Sequence, residues 1–303
     1  MAYIVKYIRD FSNEERIKQV CLDCTSKGYK IKVFSSAANQ REITVQDSEF
    51  FFCDDAQVKA VETAQKLYAE KCMFYVKRAI YSVDPAVYPD AVKLSQLDYE
   101  SAQELSVKGF NDVEYNALDL AKRASVRIEV LSLQDTEGTT IKEVAAMDGN
   151  VIKSMSKDPD IAVITLTETP DRVGVAYRIC KVLGDSDIYV DSVMLSAPYH
   201  GRQEVSLCIK RQDVQQAREI LLSQQQYLEF SDVSINENAA KIALIGAGFH
   251  THKGVAANIL EVLYQNDINI MMIFTSEVKM SLVVEKSQAD NVIRAIHKNL
   301  IAK

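Results

Sequence analysis

The chain has no block of lysines and arginines, no apolar run approaching a membrane span, and no second CxxC to complete the one it carries. Each absence closes a class of function. With no basic block and a formal net charge of −7, electrostatics offers nothing to nucleic acid or to an anionic bilayer. Without roughly 20 consecutive apolar residues, no helix is expected to span a membrane. The opening "MAYIVKYIRDF" is too short and too charged for a secretory leader. Six scattered cysteines fit a reducing cytoplasm better than a disulfide framework. The expectation is therefore a cytoplasmic protein with no nucleic-acid and no membrane partner.

What is present suits a soluble globular chain. Its 303 residues allow two domains or more, with 48% hydrophobic and 25% charged residues. The CxxC is Cys21 and Cys24. Ile17, Val20, Cys21 and Cys24 fall at i, i+3, i+4 and i+7, one helix face, so these thiols are expected in a core. His250 and His252 stand two apart with no carboxylate or thiol cluster near them in sequence. Neither pattern completes a metal site, and no metal and no cofactor is expected.

The second half contains a repeat. Gly174, Val175, Ala176, Ile179, Val182, Leu183, Asp187 and Ile188 each recur as the same residue 80 positions later, ending at Ile268. That density at one fixed offset indicates a duplicated supersecondary unit. Each copy reads strand, turn, helix, strand, strand, helix. In the first, "IAVITL" alternates as a strand, and Val175, Ile179, Val182 and Leu183 form an apolar helix stripe. "IYVDSVML" and "EVSLCI" follow as strands, with Pro198 and Gly201 as turn residues between them. "DVQQAREILLSQ" reads as a helix with Asp213 near its start, and "EFSDVSI" as a fourth strand. The second copy ends after the helix "QADNVIRAIHKNL" and has no fourth strand of its own. A spare strand-like run at 149–156 precedes the first copy. It is expected to complete the second sheet, because an unfilled edge leaves backbone groups unpaired. The units would then be interleaved.

The second copy opens on Gly246 and Gly248, which invites a phosphate-binding reading. The third glycine of GxGxxG is Thr251 here, and no G-K-[ST] follows, so a nucleotide cradle is rejected. The turn still opens a helix, and a helix N-terminus presents unpaired N–H groups to an anion such as a carboxylate. In the first copy, "ETPDRVGVA" adds Asp171, placed to meet an ammonium group, and Gly174, which would allow close approach. Equally, the two glycines could serve helix–sheet packing and Asp171 could be an N-cap.

The GVA that opens each helix, the "DINI" entering a strand and the "TSEVKMSLVVE" before the last helix resemble a tandem pair of ACT domains. The stretch from Gly246 to Glu285 is similar to the C-terminal regulatory segment of aspartokinases. The resemblance implies allosteric binding of a small amino acid, usually lysine or threonine, between paired ACT units. Carried over by residue, the site is Asp171, Gly174, Val175, Ala176, Asn269 and Ile270. One departure stands out: Leu195 occupies a strand position where related proteins often have glutamine.

Residues 1–145 resemble the amino-acid-kinase domain of aspartokinases. "AIYSVDPAVYPDAVKLSQLDYESAQELSVKG" is similar to the stretch that closes that domain. Ser12 with Glu15 looks like a capping box on the first helix. The catalytic signatures differ. The family's Lys is followed by Gly-Gly-Thr-Ser; here Lys6 is followed by "YIRDFS", with no glycine and with Asp10 set against phosphate. Phe50, Phe51 and Phe52 stand where a glycine-rich loop is expected, with Asp55 as a remnant. "VKRA" at 76–79 replaces an acidic loop, Ala86 an arginine, and Glu114, Tyr115 and Asn116 a His-Pro-Arg. Only a short polar link joins 37 to 48, where aspartokinases carry a further lobe.

The expected architecture is a truncated amino-acid-kinase-like α/β domain (1–145), with strands near Ile4, Val33, Phe74 and Ile128. Two interleaved ferredoxin-like βαββαβ ACT domains follow, at 146–235, with strand 149–156 donated to the second, and at 236–303. The expected function is non-catalytic regulation: the ACT pair binds a small amino-acid effector, Lys6 is a remnant, and no catalytic residue is assigned. Free sheet edges suggest a homodimer through the ACT domains, acting alone or on a full-length aspartokinase. The alternative is a divergent aspartate kinase, converting ATP and L-aspartate to 4-phospho-L-aspartate.

Overall fold

The computed structural model describes residues 2–36, 43–108, 112–143, 151–246, 249 and 252–301. Gly248, His250, Thr251, residues 37–42 and the first two residues of the 149–156 run lie outside them, as does the expected boundary at 145.

The N-terminal region is an α/β sheet. Its elements are β1 (Tyr3–Ile8), α1 (Glu14–Thr25), β2 (Lys30–Ser35), β3 (Ser48–Phe52), α2 (Ala56–Lys66), β4 (Lys71–Tyr75), β5 (Gln96–Leu97), α3 (Tyr99–Lys108), α4 (Tyr115–Ala124), β6 (Ile128–Leu131) and β7 (Thr139–Ile141). The strand order is β3-β2-β1-β4-β6-β7-β5, parallel from β3 to β6. The four expected strands are β1, β2, β4 and β6. The aromatic run at Phe50–Phe52 forms β3 rather than a loop, because bulky β-formers alternate across a pleat. Phe50 and Phe52 meet Phe11 on one face, and Phe51 stacks on Phe34 on the other. Helix α1 buries Ile17, Val20 and Cys21 as its periodicity requires, and burial lifts the Cys21 thiol to about 11. Its N-cap is Asn13, whose Oδ1 accepts from the Arg16 amide, whereas Ser12 bonds Asp10. The capping box expected at Ser12 is thus displaced by one residue, to a side chain better placed to reach the first-turn amides.

The repeat builds a second sheet. Its elements are β8 (Ser154–Pro170), α5 (Val175–Gly184), β9 (Val190–Leu195), β10 (Arg202–Lys210), α6 (Val214–Ser223), α7 (Gln225–Leu228), β11 (Asp232–Ile245), α8 (Val255–Gln265), β12 (Ile270–Thr275), β13 (Lys279–Glu285) and α9 (Ala289–Ile296). The order is β12-β13-β11-β8-β10-β9, antiparallel throughout. Strands β8 and β11 have 17 and 14 residues, far beyond the usual five or so, because each serves both units. Ser154–Asp158 of β8 pairs with Lys241–Ile245 of β11 and so closes the second unit. Thr165–Thr167 pairs with Asp232–Ser234 and closes the first. Each unit therefore has the ferredoxin-like order 4-1-3-2, and the second takes its fourth strand from the start of β8, ahead of the first.

At the crossing point the strands bulge. Asn236 to Ala239 spans three steps of β11 against two of β8, and Ala239 to Lys241 spans two against three. The sheet folds there. Cys208 on β10 and Met272 on β12 stand four strands apart, roughly 19 Å in a flat sheet, yet their sulfurs are 3.8 Å apart. The helix-free faces of the two units thus pack on each other through Ile161, Val163, Cys208, Ala239, Met272 and Val283. The edges on which the dimer expectation rested are paired in part within one chain. In the second sheet, β9 and β12 remain as its outer strands.

The second unit is also joined to the N-terminal domain. Ala243 and Ile245 enter that domain's core, and Val83 enters the core of the second unit. Ser82 Oγ lies 2.8 Å from His297 Nε2, and the Met155 amide donates to the Ser82 carbonyl at 2.7 Å.

Candidate functional site

The loop that carries most of the expected effector residues leads into α5. Gly174 is its N-cap at φ +93°, and Gly254 caps α8 at φ +85°. A Cβ on either would meet nothing within 4 Å, so the repeat keeps glycine for its left-handed backbone, not for tight packing. Asp187 and Asp267 match in the same way, at φ 59° and 54°. Asp171 does not cap the helix: its amide donates to the Gly201 carbonyl and it lies exposed. Arg172 pairs with Glu229, and Val173 is fully exposed. Val175 is buried and Ala176 half-buried.

Asn269 is exposed just before β12, and Ile270, its first residue, is half-buried. The two groups of expected site residues therefore sit on different units, one on the loop that leaves the central strand β8 and the other at the outer strand β12. None of the six lines the cleft where the units meet.

Gly246 has a separate role. A Cβ there would lie 1.8 Å from the Val151 carbonyl oxygen. The Lys153 amide donates to the Ile245 carbonyl beside it. This glycine admits the backbone of the segment that runs into β8, which is a packing reason with no phosphate involved.

The kinase-like domain has a cleft of about 480 Å³ at the carboxyl ends of β1 and β4, the point where its strand order reverses. Arg9, Asn13, Lys77 and Gln134 line it. Arg9 pairs with Asp112. Lys6 points elsewhere. It is fully buried, donates to the Val20 carbonyl and to Tyr75 Oη at 3.4 Å, and lies 5.2 Å from the Tyr75 ring centroid. Burial raises the Tyr75 phenol pKa, so this partner stays neutral. Asp55 is the N-cap of α2 without a side-chain bond, and burial with the nearby Asp55 charge raises the Glu114 carboxyl.

Residues 242–300 match the ACT domain family model. An aspartokinase of Pseudomonas aeruginosa is 30% identical over 242 residues, covering 78% of this chain and 59% of that protein. One from Bacillus sp. strain MGA3 is 31% identical over 79% of this chain and 59% of its own length. This chain is similar to aspartokinases over most of its length. It spans about three-fifths of the length of these curated relatives. The Clostridium acetobutylicum aspartate kinase structure, described as an allosteric enzyme, superposes with a TM-score of 0.74 at 17% identity, over 97% of this chain and 68% of that one. Escherichia coli aspartokinase III in complex with lysine and aspartate gives 0.69 at 19%, over 98% and 69%. At those identities the two structures establish the fold: a kinase-like α/β domain followed by interleaved ACT units.

The sequence reading missed a cleft of about 610 Å³ where α3, β9 and the paired strands β11 and β13 converge. Lys241, 7% exposed, is paired there with Asp191 and with Ser192 Oγ at 3.0 Å. Lys279 reaches Glu104 of α3 at 2.7 Å. Two polar residues inside apolar strand runs, Lys241 in "AAKIALI" and Ser281 in "KMSLVV", were the signal available in the sequence.

Proposed function

We propose that this aspartokinase relative is a regulatory protein that binds a small amino acid of the lysine or threonine class through its ACT pair and transfers no phosphoryl group. The observation that carries the second half is the place of Lys6. Phosphoryl transfer needs a cation and glycine-lined backbone amides around the phosphates. Here the one retained lysine is held in the interior by Val20 and Tyr75, and bulky residues follow β1. The exposed loop at Asp171 with the left-handed Gly174 supports the first half: an open approach to the start of α5, beside a carboxylate that suits an ammonium group. Because Asn269 and Ile270 lie on the other unit, the effector would be completed by a second copy of the chain or by a full-length aspartokinase. Calorimetry and thermal shift with lysine, threonine and methionine test this. A ligand at a hundredfold excess over its dissociation constant should add about 2.7 kcal/mol to stability. Turnover of ATP with aspartate by the pure protein would reinstate the divergent kinase and overturn the non-catalytic reading.

A further inference from the structure

The cleft between α3, β9 and β13 holds an unexplained group. Ser281 is 1% exposed, lines the cleft, and its Oγ is a buried polar atom with no hydrogen-bond partner. A buried hydroxyl left unpaired is a standing cost in a native fold, and such groups are rare. Its neighbours across the cleft are charged. Lys241 is paired with Asp191, Lys279 with Glu104 and Glu100 with Lys122, and Phe274 forms an apolar wall. A lining of paired charges of both signs matches a zwitterion better than a bare anion or a bare cation.

We propose that this cleft binds a free α-amino acid, distinct from the loop site at Asp171. The ligand's carboxylate lies between Lys241 and Lys279 and accepts from Ser281 Oγ. Its ammonium meets Glu104 and Glu100 on α3, and its side chain rests on Phe274. The three walls come from the kinase-like domain, the first unit and the second unit. A molecule seated there touches all three, and so links the occupancy of the ACT pair to the position of α3. The choice of an amino acid rests on the proposed regulatory function; the place rests on the cleft alone.

The test uses the full chain, with L-threonine, L-lysine and L-phenylalanine as probes and acetate and propylamine as half-ligands. Calorimetry should show binding of an amino acid and none of either half. Hydrogen exchange should slow in 99–108 and 279–285 when it binds. Lys279→Met and Glu104→Gln should each weaken binding tenfold or more. Ser281→Ala supplies a signature that a merely structural serine would not give: affinity falls severalfold while the melting temperature of the unliganded protein rises, since an unpaired hydroxyl is removed. Protection confined to 171–176, with affinity unchanged in Ser281→Ala and Lys279→Met, would place the ligand at the loop and sink the cleft while leaving the regulatory function standing. Binding of no amino acid at all would remove both.

Discussion

The two ACT units share a backbone and differ in surroundings. Their helix starts are capped by equivalent glycines, and the amides of Ile188 and Ile268 donate to Leu183 and Leu263 at the same 3.0 Å. Around that common frame, the second unit carries the attachment to the kinase-like domain. Ala243 and Ile245 sit in that domain's core, Ser82 holds His297, and Glu104 holds Lys279. The first unit's core takes in no residue of that domain, while its loop at Val173 is exposed, as are His252–Gly254 of the second unit. Duplication supplied two copies of one scaffold, and packing turned one of them into an anchor on the kinase-like domain.

The largest test of that contrast is core truncation. Leu282→Ala in the second unit and Leu207→Ala in the first both empty fully buried sites, and each should cost about 2–5 kcal/mol. Differential scanning calorimetry separates them. Leu282→Ala should lower the melting of the kinase-like domain together with its own unit. Leu207→Ala should lower the first unit and leave a later transition in place. Equal effects on both transitions would erase the anchor–sensor distinction.

Next in size is the glycine set. Gly246→Ala drives a methyl into the Val151 carbonyl and should cost about 1–3 kcal/mol by overpacking, read as a shifted denaturation midpoint. Gly174→Ala and Gly254→Ala force a Cβ into a left-handed conformation with open space around it, at about 1–2 kcal/mol each. The two should match in stability. Only Gly174→Ala should also weaken effector binding; if Gly254→Ala weakens it equally, the open loop is not the sensor.

The smallest expected effect is a pH slope. Burial lowers the His297 pKa below the ordinary imidazole value, against an opposing pull from Asp90. The unfolded chain then binds the proton more readily, so stability is present above the unfolded imidazole pKa and declines as pH falls through that value. Acidification from neutral pH should loosen the contact between the second unit and Ser82. Urea melts at pH 7.5 and 5.5 should differ less in His297→Gln than in the wild type.

Much of the fold was legible because it was specified locally. The residues repeated at an offset of 80 are those whose backbone or burial the unit requires: left-handed Gly174 and Gly254, and core positions such as Ile179 and Ile259. The interleaving was legible from the count of strands. The face-to-face contact of the units was not, since nothing in the alternation of β10 or β12 announces that Cys208 and Met272 will meet. The β3 strand was hidden because Phe50–Phe52 reads as a damaged loop when compared with a family pattern, yet as a strand by its own chemistry. The junction cleft escaped for a related reason: Lys241 and Ser281 stand out only as polar residues in apolar strands, and they meet Glu104 and Asp191 only where four separate elements converge.

The sequence by itself determined the duplicated unit, the kinase-like start and the loss of glycines after β1, because periodicity, turn chemistry and backbone sterics act between near neighbours. Only the tertiary structure decided that Lys6 turns inward, that the sheet folds at its bulges, and which unit is anchored. Those outcomes depend on desolvation and packing between residues far apart in the chain, where alternation gives a face but not the partner that covers it.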